Sequence, residues 1–113
     1  MKQNLMTCVV VVSVLTVTGN AAAQSTAADG EKVFAAQKCT ICHSIGAQGN
    51  KKGPLDNVGA KLSADEIRMW ITQAPVMAAK VKAERKPAMK AFTALSKEEV
   101  DALVAYLQTL KKG

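Results

Sequence analysis

Histidine is almost absent from this 113-residue chain: His43 is its single imidazole. Cysteine is scarce too, limited to Cys8, Cys39 and Cys42, and the aromatics are only Phe34, Trp70, Phe92 and Tyr106. No stretch alternates apolar and polar residues for long enough to read as a strand. That removes the sheet-based folds, and with them the βαβ setting of a thioredoxin-like redox site. There is no glycine-rich phosphate loop, no internal repeat and no second cluster of nucleophilic side chains.

Long apolar runs are missing as well. The run Cys8 to Val17 is interrupted by Ser13 and Thr16 and falls well short of the roughly 20 residues a membrane-spanning helix requires. With Lys2 ahead of it and Ala21-Ala22-Ala23 behind it, it reads as a cleavable export signal over residues 1–23, cut before Gln24, rather than as a retained anchor. Cys8 leaves with the signal. What remains, residues 24–113, is one small domain of 90 residues, expected in the periplasm, with two cysteines. Two cysteines and one histidine are too few for a closed zinc site.

What the chain does have is Cys39-Thr40-Ile41-Cys42-His43. C-x-x-C-H is the spacing of covalent haem attachment. Two thiols three positions apart on one turn of chain can each add to a haem vinyl group. The histidine that follows is then held under the porphyrin, where an imidazole nitrogen reaches the iron. The expected cofactor is one haem c, with Cys39 and Cys42 as thioethers and His43 as an axial ligand. Both thiols must be reduced when haem is added, so no structural disulfide is expected between them. A domain this small buries little apolar surface alone, and a porphyrin would supply the missing centre.

The pattern around the motif is helical, which makes the fold class all-α. A first helix is predicted from about Ala28 to Lys38, with Val33 and Phe34 on its apolar side. Ser63-Ala64-Asp65-Glu66 has the form of a capping box and starts a second helix, which turns Ile67, Trp70 and Ile71 inward and ends before Pro75. Ser96-Lys97-Glu98-Glu99 repeats the device ahead of Val100, Leu103, Val104, Leu107 and Leu110, spaced as one helical face. Gly46, Gly49, Gly53, Pro54 and Gly59 mark the stretch between Ser44 and Lys61 as loop.

As a set, these residues resemble the small monohaem class I c-type cytochromes over nearly all of residues 28–112. The resemblance implies three to four helices wrapped around one covalently attached haem. It implies that Gly30-x-x-x-Phe34 and Leu103-x-x-Tyr106 form the contact between N- and C-terminal helices, with Gly30 permitting close approach. Gly53-Pro54-Leu55 resembles the segment whose proline carbonyl accepts a hydrogen bond from the second nitrogen of the haem histidine, which makes Pro54 a candidate site residue. Trp70 is a core aromatic on the second helix, and in some family members the corresponding indole donates to a haem propionate. The stretch from Met89 to Ser96 resembles the segment that brings a methionine sulfur to iron. The family often places proline directly after that methionine; here Lys90 stands there and Pro87 lies two residues before it.

Elimination bears on the sixth ligand too. A single histidine excludes bis-histidine ligation within one chain, leaving Met69, Met77 and Met89. Met69 falls within the second helix, where methionine is commonly core filler. Met77 follows Pro75 in an expected loop, and Met89 lies just ahead of the last helix cap. Met89 is favoured, with Met77 the alternative.

The formal charge is +6, or +5 once Lys2 is removed with the signal. Lys80, Lys82, Arg85, Lys86 and Lys90 crowd the approach to Met89, opposed only by Glu84. Such a run is either a solvated face or a basic collar that steers an acidic redox partner to the haem edge. Two strong axial ligands leave no open position on iron. The expected function is therefore one-electron transfer by a soluble periplasmic carrier, not an enzyme. Neither nucleic acid nor a permanent membrane anchor is expected. The rivals are a cytochrome subunit of a larger dehydrogenase or oxidase complex, and a haem peroxidase or gas-binding protein with an open sixth site.

Overall fold

Thr26 opens the first helix with a reciprocal cap: its hydroxyl accepts the Asp29 N–H at 3.1 Å, and the Asp29 carboxylate accepts the Thr26 N–H at 3.3 Å. A computed structural model describes residues 26–112 from this point on. The expected signal over 1–23 and its Cys8 lie outside the described residues. Helix α1 (Ala27–Ala36) runs to Gln37, and Lys38 then takes a left-handed conformation at φ 56°. This reversal turns the chain sharply into a 3₁₀ turn, Cys39–Ile41. A two-residue antiparallel hairpin follows, β1 (Ser44–Ile45) with β2 (Gln48–Gly49). Next come the single-turn helix α2 (Val58–Lys61), α3 (Ala64–Thr72), α4 (Ala74–Lys80) and α5 (Lys97–Gln108). The fold is all-α apart from that short hairpin.

Three helix boundaries follow the sequence reading closely, and their caps differ from it in detail. Ser63 and Ser96 accept the backbone N–H of Glu66 and Glu99 at 3.2 and 3.1 Å. In the described contacts this is the forward half of a capping box; the reciprocal box is the one at Thr26. A larger departure lies after α3. Met77 is not in a loop: the chain re-enters a helix at once, with Pro75 in the first turn of α4 and Met77 buried. Proline is tolerated there because a first-turn N–H has no helical acceptor to lose.

The core is a seam between α1, α3 and α5: Phe34, Ile67, Ile71, Val100, Leu103, Val104 and Leu107. Ile67 and Ile71 form the buried face of α3. Trp70 beside them is half-buried, so the inward-facing expectation holds for the isoleucines and only partly for the indole. Arg68 reaches from α3 to Asp101 of α5 at 2.7 Å, and Lys97 meets the same carboxylate at 2.8 Å. Those hydrogen bonds, from Lys97 first and then Arg68, hold Asp101 below the usual carboxylate range. Surface pairs of this kind add little stability.

Helix α1 crosses α5 at Gly30, which is buried. A Cβ there would run into the Ala102 carbonyl and the Tyr106 side chain. One turn on, Phe34 meets Tyr106 edge to face, with ring centroids 5.7 Å apart. Glycine to alanine inside a helix ordinarily gains up to about 1 kcal/mol. At this crossing the sign reverses: Gly30→Ala lowers stability by about 1–3 kcal/mol, since the helices must part to admit the methyl group. A lower urea midpoint with an unchanged m-value is the expected result.

Candidate haem-attachment site

The 3₁₀ turn places Cys39, Thr40, Ile41, Cys42 and His43 around one tight bend. His43 N–H and Cys42 N–H both donate to the Cys39 carbonyl, at 2.9 and 3.1 Å. Cys39 and Cys42 are free thiols and half-buried, while Ile41 between them is 67 % exposed. Burial pushes the Cys39 thiol up from its ordinary value. The turn thus carries two free thiols three positions apart.

The loop that follows is folded back to hold His43. Its Nδ1 lies 3.0 Å from the Gly53 carbonyl. Ser44 N–H donates to the same oxygen at 3.1 Å, and Leu55 N–H donates to the Ser44 carbonyl at 2.8 Å. The acceptor is thus Gly53 and not Pro54, as the resemblance had implied. The parallel pairing of Ser44 with Pro54 sets this register, leaving Gly53 buried against the motif and Pro54 exposed. Nδ1 as donor leaves Nε2 with its lone pair, the form that can ligate a metal. Burial holds the His43 imidazole below its ordinary value; the Gly53 carbonyl partly offsets this, and the Arg85 charge adds to it.

Several residues that pattern reading missed complete the loop. Asn50 N–H donates to the Thr40 and His43 carbonyls, each at 3.0 Å, and its side chain donates to the Ile41 carbonyl at 3.1 Å. Asp56 accepts the Gly46 N–H at 2.7 Å. Arg85 had been read only as surface charge, and here it donates to the Cys42 carbonyl. An Asn or Asp among glycines marks a turn in any sequence, but its partners cannot be read until the chain closes on itself.

Met89 lies on an irregular stretch, residues 82–96, and is half-buried. That stretch is tethered on both sides of it: Arg85 to the Cys42 carbonyl, and Phe92 N–H to the Ile71 carbonyl at 2.8 Å. Beyond Met89 the chain lines a hollow of about 210 Å³ with Gln37, the residue that caps α1 two positions before Cys39. Arg85 thereby ties the stretch that carries Met89 to the turn that carries Cys39, Cys42 and His43. The basic residues Lys80, Lys82, Arg85, Lys86 and Lys90 are all exposed, and Lys90 sits 5.4 Å above the Phe92 ring.

The family model described as Cytochrome c matches residues 27–111. This chain belongs to the cytochrome c family. Its cofactor is accordingly haem c, its chemistry haem-based electron transfer. The chain is also 27 % identical over 97 residues to cytochrome c oxidase subunit 2 of Alkalihalophilus pseudofirmus, a match covering 78 % of this chain and 27 % of that protein. No solved structure matches.

The residues present fit such a group. Two free thiols and a neutral, oriented imidazole form the donor set. Ile45, Leu55, Val58, Leu62, Phe92 and Leu95 pack against the core yet keep part of their apolar surface exposed, apolar area of the kind a porphyrin covers. If each thiol makes its own thioether, Cys39→Ala and Cys42→Ala singly retain haem through acid–acetone extraction, and the double variant releases it. Retention by the double variant would contradict the attachment.

Proposed function

We propose that this cytochrome c domain is a soluble, exported one-electron carrier whose haem is bound through Cys39 and Cys42 and ligated by His43 and Met89. The observation that carries the reading is the His43 imidazole, fixed on the Cys39–His43 turn by the Gly53 carbonyl with Nε2 left available. Bound haem supplies a ferric/ferrous couple, and thioether ligation favours the ferrous state relative to two histidines. The chain's part is to hold both ligands still, so that little rearranges as the electron comes and goes.

Met89 is supported as the second ligand by the tethers on either side of it and by its partial exposure. The alternative, Met77, is buried in α4 at 4 % exposure and packs as core. Pro54 contributes by fixing the backbone after Gly53. Trp70 is half-buried on α3, and its indole N–H is a candidate donor to a haem propionate. The exposed lysines around residues 80–90 support a docking face for an acidic redox partner, where complementary charge would raise the encounter rate. Among the described residues no helix is long and apolar enough to cross a membrane.

A second reading, a cytochrome subunit of a larger oxidase complex, draws on the likeness to cytochrome c oxidase subunit 2. The electron-transfer role is the same in both.

Ligation is tested by the weak far-red charge-transfer band that reports an iron–sulfur bond in ferric haem. The band is expected in the wild type and in Met77→Ala, with Met77→Ala less stable by about 2–5 kcal/mol from its core cavity. It is expected to vanish in Met89→Ala. A band lost in Met77→Ala and kept in Met89→Ala would reverse the assignment.

A further inference from the structure

Arg85 touches both backbone segments that hold His43. Its guanidinium donates to the carbonyl of Cys42, the peptide unit that leads into His43. It also lies directly over Gly53, where an added Cβ would collide with the guanidinium and with the Cys42 carbonyl at once. Gly53 in turn supplies the carbonyl that orients the His43 ring. Arg85 arrives from 43 residues downstream in sequence, four positions before Met89. A planar, always-charged fork suits this place: it can serve a carbonyl while lying flat on a glycine that offers no side chain in the way.

We propose that Arg85 is a positioning residue for His43, clamping the Cys42–His43 peptide against Gly53, and that its fixed charge raises the reduction potential of the haem. The inference rests on the haem reading above. Ferric haem carries one more positive charge than ferrous haem, so a permanent cation beside the axial histidine disfavours the oxidised form. The same contact ties the Met89-bearing stretch to the haem-attachment turn. Movement at one ligand is thereby resisted at the other.

The test uses the haem-loaded protein. Mass measurement first establishes covalent haem in the wild type; its absence overturns the haem reading and this inference with it. Midpoint potentials are then measured by spectroelectrochemical titration for wild type, Arg85→Gln, Arg85→Lys and Lys111→Gln, the last removing an equal charge at the C-terminal end of the chain. At a fixed ambient potential, Arg85→Gln is expected to lower the ferrous-to-ferric ratio about threefold or more, as befits a unit charge in partly screened surroundings. Arg85→Lys restores most of that ratio, and Lys111→Gln moves it less. An Arg85→Gln ratio equal to that of wild type or of Lys111→Gln overturns the proposal. A measurement on the unmutated protein stands beside it. Side-chain ¹⁵N NMR is expected to show separate Nη resonances for Arg85, because the Cys42 bond restrains rotation of the guanidinium. A single averaged resonance would overturn the clamp.

Discussion

Helix α1 can deliver Cys39 to the site only by lying flat on α5, and that approach depends on the missing side chain of Gly30. At the crossing the α1 backbone meets the Ala102 carbonyl and Tyr106 with no room for a methyl group. The Phe34–Tyr106 ring contact then fixes the rotation of α1 about its axis. Three residues past the end of α1 the chain reaches Cys39, so the position of the haem-bearing turn follows from this seam. Between them lies Lys38, held at positive φ, a conformation that costs a non-glycine residue about 1 kcal/mol or more. The α1–α5 packing must supply that energy.

Past the seam, hydrogen bonds join the apolar contacts of Ile45 and Leu55 in ordering the chain. The loop from Ser44 to Leu55 closes on the motif through Gly53, Asn50 and Ser44, and these bonds satisfy backbone groups such as those of the buried Ser44 and Gly53. The His43 ring borrows its orientation from this closure. Positive charge is then laid on the outside, with the exposed Arg85 bonded to the Cys42 carbonyl and the neighbouring lysines left in water. One short segment thus carries Met89, the Arg85 tether and a run of exposed lysines.

The helices were legible because their signals are local. Ser63 and Ser96 stand three residues before a glutamate, and the apolar residues of α5 recur at the helical period. The attachment motif is local too, five residues that state their own chemistry. What escaped was long-range or depended on register. Gly53 replaces Pro54 as the acceptor because one residue of register, set by the pairing of Ser44 with Pro54, decides which carbonyl faces the ring. Helix α4 was missed because proline reads as a terminator, whereas in a first turn it is compatible with starting a helix. Arg85 looked like one charge among several, and its partner lies 43 residues away.

In the proposed function this chain encloses a haem with both axial positions filled by its own side chains, so that electrons pass and substrates do not bind. The most direct measurement is the absorption spectrum of the dithionite-reduced protein at neutral pH before and after saturation with carbon monoxide. The account predicts an unchanged low-spin ferrous spectrum, because His43 and Met89 leave no position for the gas. Prompt conversion to a carbon monoxide complex in the natively folded protein would contradict it and mark the sixth site as open.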